Sequence, residues 1–148
     1  MKQKFVFYLL FAFISVYSVL SAEQTSTLTV VVEGFRNDNG NAVCHLFNSK
    51  EGYPIKSKKA LMLRNSKITK GRAVFVFEHI PYGDHAFTSH HDENANKKMD
   101  LSWIGLPAEG WACSNNARGS LVKGLPKWSE AKFAVNKPAV QKTIKMNY

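Results

Sequence analysis

Beyond residue 22 the chain is written in short runs that alternate apolar and polar side chains, separated by turn-forming residues, with no sustained helical period. That pattern constrains the fold more than any other feature, because a period of two places alternate side chains on opposite faces of a strand. Leu28, Val30 and Val32 alternate with Thr29, Val31 and Glu33 until Gly34 breaks the run. Asn37-Asp38-Asn39-Gly40 then supplies turn chemistry, and residues 43–47 read as the returning strand of a hairpin. Further strands are expected over 60–64, 73–79, 85–91, 129–135 and 140–148, with Pro138 between the last two. Val74, Phe75, Val76 and Phe77 are apolar on both faces, which predicts a central strand covered on two sides. Seven short strands imply an all-β, antiparallel Greek-key β-sandwich. Residues 101–127, punctuated by glycine and proline, form a long connection with no assignable element.

The first 22 residues read as a secretory signal peptide with a signal helix. Lys2 and Lys4 make a basic start, residues 5–20 an apolar core, and Leu20-Ser21-Ala22 a small-residue cleavage site. The apolar stretch is shorter than the roughly 20 residues needed to span a bilayer, so no transmembrane span is expected in the mature chain. Residues 23–148 suit a single β-sandwich domain, and the protein is expected to be exported, either periplasmic or secreted.

The formal charge of +9 falls by two once Lys2 and Lys4 are removed. Export and the dispersed lysines, with no interleaved aromatic residues, argue against nucleic acid as a partner. A polysaccharide or an envelope protein remains as partner. In an exported chain Cys44 and Cys113 are expected to form a disulfide, the alternative being two buried thiols.

One stretch suggests metal chemistry. Asp92, Asn94, Asn96 and Asp100 carry side-chain oxygens at the spacing of a calcium loop, and Lys98 occupies the position that contributes a backbone carbonyl. Lys97 stands where glycine makes the sharp turn, and Trp103 where a bidentate glutamate would close the shell. Glu109 is the nearest downstream acid to complete a Ca2+ site, with Glu93 as an additional donor. The competing reading is an Asx-rich turn that bonds its own backbone. His91 opens the loop and is a weaker ligand candidate. No spacing typical of structural zinc links it to His45, His79, His85 or His90.

Catalytic motifs are missing: there is no G-x-S-x-G, H-E-x-x-H, Walker-type loop or GxGxxG. A non-catalytic binding or envelope-associated module is therefore expected. A carbohydrate-binding module would stack sugars on Trp103 and Trp111, and a hydrolase would use Asp92 and Glu109.

The chain resembles the DUF2141 family of uncharacterised, mostly exported bacterial proteins. The carriers run from Leu28-Thr29-Val30-Val31-Val32-Glu33-Gly34 through Ile80-Pro81-Tyr82-Gly83-Asp84, His91-Asp92-Glu93-Asn94-Ala95-Asn96 and Glu109-Gly110 to Ser114-Asn115-Asn116. The family usually has glycine in place of Lys97. The resemblance implies a prealbumin-like or carbohydrate-binding-like sandwich and no established activity. It also makes Glu109, Asn115 and Asn116 expected partners of the Asp92 loop.

Overall fold

A computed structural model describes residues 23–105, 107–120 and 123–148; the expected leader lies outside the described residues. Eight strands, one α-helical turn and two 3-10 turns (Ser57–Lys59 and Ser114–Asn116) are formed there. The strands are β1 (Thr25–Glu33), β2 (Asn41–Phe47), β3 (Met62–Ser66), β4 (Arg72–Pro81), β5 (Gly83–Asp92), β6 (Trp111–Cys113), β7 (Phe133–Val135) and β8 (Ala139–Lys145), and the α-helical turn is α1 (Trp128–Ala131). A three-stranded sheet runs β4-β1-β8, and a five-stranded sheet runs β3-β2-β5-β6, with β7 also on β5. The all-β expectation holds, with an eighth strand added and one parallel pair, β1 with β8.

Alternation builds the core between the sheets. Leu28, Val30 and Val32 point inward with Phe75, Phe77 and Ile144 of their own sheet, against Cys44, Leu46, Phe87 and Ala112 of the other. Strict alternation from Phe77 would turn Ile80 outward. An irregularity in the β1–β4 register, where Ser26 opposes Ile80 and Leu28 opposes Phe77, inserts one residue and returns Ile80 to the core. His79, in the left-handed region with φ 55, marks the bulge.

Four expectations change. β1 and β2 do not form a hairpin, because β1 pairs with β4 and β8 while β2 pairs with β3 and β5. The turn signal at Asn39-Gly40 is real but serves an arch from one sheet to the other. β4 lies at the edge of its sheet, leaving Val74 and Val76 exposed on the outer face. The expected strand over 129–135 divides into α1 and the short β7. The connection over 101–127 contains β6, whose three residues pair with Thr88, Ser89 and His90 of β5.

The expected disulfide is not formed: Cys44 and Cys113 are free, buried thiols. Register explains why. Cys44 opposes Ser89 on one side of β5, whereas Cys113 opposes Thr88 on the other. Directly opposed residues share a face and successive residues alternate, so the two sulfurs lie on opposite faces of the sheet with β5 between them. A bridge would require rebuilding the sheet. Burial holds the Cys44 thiol well above its ordinary pKa and pushes Cys113 up to about 12, which leaves neither as a thiolate nucleophile near neutral pH.

Candidate ligand cleft and the closed polar end

Asp92 ends β5 and starts the loop that dominates the sequence. Its Oδ1 accepts from the Asn96 N–H at 2.9 Å and its Oδ2 from the Lys97 N–H at 2.9 Å. Asn94 Oδ1 takes the Asn96 N–H at 3.1 Å, and Asn96 Oδ1 takes the Lys98 N–H at 2.8 Å. With their oxygens so used, both amides present nitrogen to Asp100: Asn94 Nδ2 donates to Oδ2 at 2.6 Å and Asn96 Nδ2 to Oδ1 at 2.9 Å. Glu109 closes the loop from the far side, accepting the Glu93 N–H at 2.8 Å and the Asp100 N–H at 3.1 Å.

The expected oxygens are thus neighbours, but they face N–H donors rather than a common centre. Among the described residues no three His, Cys, Asp or Glu side chains gather where an ion could sit. In this arrangement the donor set does not fit calcium, because hydrogen atoms of two amides occupy the approach to Asp100. Lys97 adopts φ 65, the left-handed conformation that glycine takes at little cost. The competing reading, an Asx-rich turn, describes the geometry.

The same end of the sandwich is fastened from other directions. His91 is fully buried; its Nε2 donates to the Asn39 carbonyl at 2.8 Å, so its Nδ1 accepts from the Tyr148 hydroxyl at 2.7 Å. That hydroxyl also accepts the Arg36 N–H at 3.1 Å, and the Arg36 guanidinium lies 4.6 Å from the Tyr148 ring centre. Arg36 pairs with Glu93, as does Asn37, and together they hold the Glu93 carboxyl down to about 2. Asp38 accepts the Lys70 and Gly71 N–H groups, both at 2.8 Å. His91 is therefore a fastening rather than an open ligand.

Asp92 and Glu109 are 3% and 5% exposed, and all four carboxylate oxygens have backbone donors. An acid and base facing a glycoside would need solvent-facing oxygens, so this pair lacks the geometry for hydrolysis. Asn115 and Asn116 are not partners of this loop. Asn115 Nδ2 lies within 3.0–3.3 Å of the Glu130, Ala131 and Lys132 carbonyls that end α1, and Asn116 Oδ1 accepts the Lys145 N–H at 2.9 Å on β8. Both structure the opposite side of the connection.

What sequence reasoning missed lies on the outer face of the five-stranded sheet. Phe47, Tyr53 and Trp128 cover one part of that face in successive edge-to-face contacts with centroids 5.5 and 5.6 Å apart. Between this cover and the 97–107 segment lies a cleft of about 590 Å³, floored by His45, Thr88, His90 and Trp111. The two imidazoles stack with centroids 5.8 Å apart and planes 18° apart. Burial, then the neighbouring ring, lowers His45 to about 4, and burial lowers His90. Both are neutral near pH 7.

Leu101, Pro107, Ile55 and Leu125 form apolar walls, and Lys97 and Lys98 stand at the border. No Asp, Glu, Asn or Gln belongs to the lining among the described residues. A second hollow of about 600 Å³ shares Pro107, Trp111 and Leu125, so Trp111 borders both. Trp103, expected beside Trp111 as a stacking partner, instead projects into solvent with 96% of its surface exposed. Only cross-strand register brings His45, Thr88 and Trp111 together; in sequence, their one shared signal is that each sits on the face opposite the core residues of its strand.

The fold and these regions define a small all-β sandwich with one tightly fastened end and one hollowed outer face. The chain belongs to a bacterial family described as "Uncharacterized protein conserved in bacteria (DUF2141)", whose model matches residues 30–143. No curated protein and no solved structure matches it.

Proposed function

We propose that the protein is an exported, non-catalytic binding module of the periplasm or cell exterior that holds a small, mainly apolar molecule in the cleft floored by Trp111. The observation that carries this reading is the cleft itself. Its volume of about 590 Å³ falls within the roughly 300–1,000 Å³ of small-molecule sites, and its lining is apolar with a few convergent polar groups. The leader-like residues 1–22 support export.

The lining also selects against the carbohydrate alternative. Sugar hydroxyls pair well with carboxylates and carboxamides, which offer several acceptors and donors at fixed geometry; the cleft has Thr88, Ser57 and two neutral imidazoles instead, with the Lys97 and Lys98 ammonium groups at its border. Trp103 stands outside the lining, so the two indoles do not build one platform.

The test makes Trp111 the sole indole through Trp103→Phe and Trp128→Phe. Titration with 1-decanol is expected to shift its emission to the blue and to saturate at one equivalent bound per chain. A linear, unsaturated response up to the solubility limit would remove the proposal.

A further inference from the structure

Residues 101–105 carry three large, exposed apolar side chains, of which only Leu101 also lines the cleft. Leu101 is 61%, Trp103 96% and Ile104 56% exposed. They sit on a closed finger rather than a frayed loop. Leu101 pairs with Pro107, the Ala108 N–H donates to the Asp100 carbonyl at 2.8 Å, and the Gly105 N–H donates to the Ser102 carbonyl at 2.8 Å. Glu109 and the amides of Asn94 and Asn96 hold the base of that finger through Asp100. The structure therefore spends a rigid support on presenting an indole to solvent.

We infer that this finger docks the protein on an anionic lipid bilayer, with Trp103, Leu101 and Ile104 entering the interface. Charge and shape favour that partner. From residue 101 to 108 there is no acidic residue, and the Asp100 carboxylate is already engaged by two amides. Lys97 and Lys98 precede the finger and make no ion pair among the described residues. Tryptophan settles at the headgroup level of bilayers, where its ring is shielded and its N–H stays wet. Lysines beside such an insertion gain from the negative surface potential of anionic lipid. A narrow convex tip enters a fluid interface, whereas a folded protein partner would need a matching socket for it. Leu101 also belongs to the cleft wall, so docking would bring the mouth of the cleft to the lipid surface.

The experiment uses the protein as cells process it, with its N-terminus established by mass spectrometry. It is mixed with vesicles of phosphatidylcholine alone or with phosphatidylglycerol added, and the bound fraction is measured by sedimentation. Phosphatidylglycerol vesicles are expected to bind it, and a Trp103→Ser, Ile104→Ser variant of unchanged melting temperature to bind at least about tenfold more weakly. Lys97→Gln with Lys98→Gln is expected to lower binding to anionic vesicles roughly tenfold or more at low salt while leaving phosphatidylcholine binding unchanged. In a Trp111→Phe, Trp128→Phe background, lipids brominated along their chains are expected to quench Trp103. Equal binding by the serine variant, no quenching, or no sedimentation with either vesicle would overturn docking. Any of these leaves the cleft titration unaffected.

Discussion

The fastened loop at the end of β5 and the outer face beside it treat polar groups in opposite ways. At the Asp92 end, every carboxylate oxygen of Asp92, Asp100 and Glu109 receives a donor, and Arg36, Glu93, His91 and Tyr148 pair with one another. On the cleft and finger side, Lys97 and Lys98 lack carboxylate partners among the described residues, and Trp103 and Ile104 lack apolar cover. A saturated network has nothing left to offer a ligand; its contribution is rigidity. Residual capacity for binding lies where side chains are presented but unspent. The acidic, asparagine-rich loop that looks most chemical is thus the support, and the basic, apolar segment after it is the surface it supports.

The largest break in this comparison comes from two glycines with similar backbones. Gly40 has φ 65 and Gly105 φ 78, so alanine is strained at either. A Cβ at Gly40 would lie 1.9 Å from the Asp92 carbonyl oxygen, whereas one at Gly105 meets nothing within 4 Å. Gly40→Ala must push the arch away from the start of the loop, and is expected to cost at least about 3 kcal/mol and lower the melting temperature by roughly 10 °C. Gly105→Ala should cost about 1 kcal/mol. Thermal unfolding of both checks this, and equal losses would show that the polar end is not the tighter region.

A smaller effect separates the regions by pH. His45 and His90 are held below their unfolded value of 6.5, so the unfolded chain binds more protons than the folded one once the pH drops below that value. Stability present above pH 6.5 is therefore lost progressively as the pH falls towards 4. Both rings keep some solvent contact, so the loss is about 1–2 kcal/mol after screening. Glu93 behaves in the other window: its folded pKa is depressed from 4.5 to about 2, so its contribution is complete above 4.5 and is lost progressively as the pH falls from there through about 2. Melting temperatures between pH 6.5 and 4.5 are thus expected to decline in the native protein and to decline less in His45→Gln, His90→Gln, the remainder coming from buried His85, which burial also lowers. A decline that instead vanishes in Arg36→Gln would assign the acid sensitivity to the polar end.

Much of the sandwich was legible because alternation reports burial directly: Leu28, Val30, Val32, Phe75 and Phe77 all face the core as their spacing requires. Pairing was less legible. Asn39-Gly40 specifies a turn but not which strand follows beside β1, and β6 is only three residues long, too short to show a period. Val74 and Val76 show that apolar side chains on both faces do not establish two-sided cover; an edge strand can leave one set exposed. The fate of the cysteines followed from register alone, since a shift of one residue decides the face. For the same reason the Asp92 loop, made of near neighbours, could be read in sequence, and the cleft, assembled from β2, β5 and β6, could not.

The smallest expected effect is that of calcium on the loop. To coordinate an ion at Asp100, the amides of Asn94 and Asn96 would have to turn their oxygens towards it. Each turn takes an acceptor away from a backbone N–H, at Asn96 and at Lys98, and sets an NH2 group against it. The ion would have to offset those lost bonds as well as the repulsion from Lys97 and Lys98. Millimolar calcium is accordingly expected to raise the melting temperature by less than about 1 °C, since a ligand stabilises only through a state that binds it. A rise of several degrees that disappears in Asp100→Asn would show that both amides turn. The polar end would then be a cation site that closes on itself when empty, and its contrast with the finger it supports would hold only in the absence of the ion.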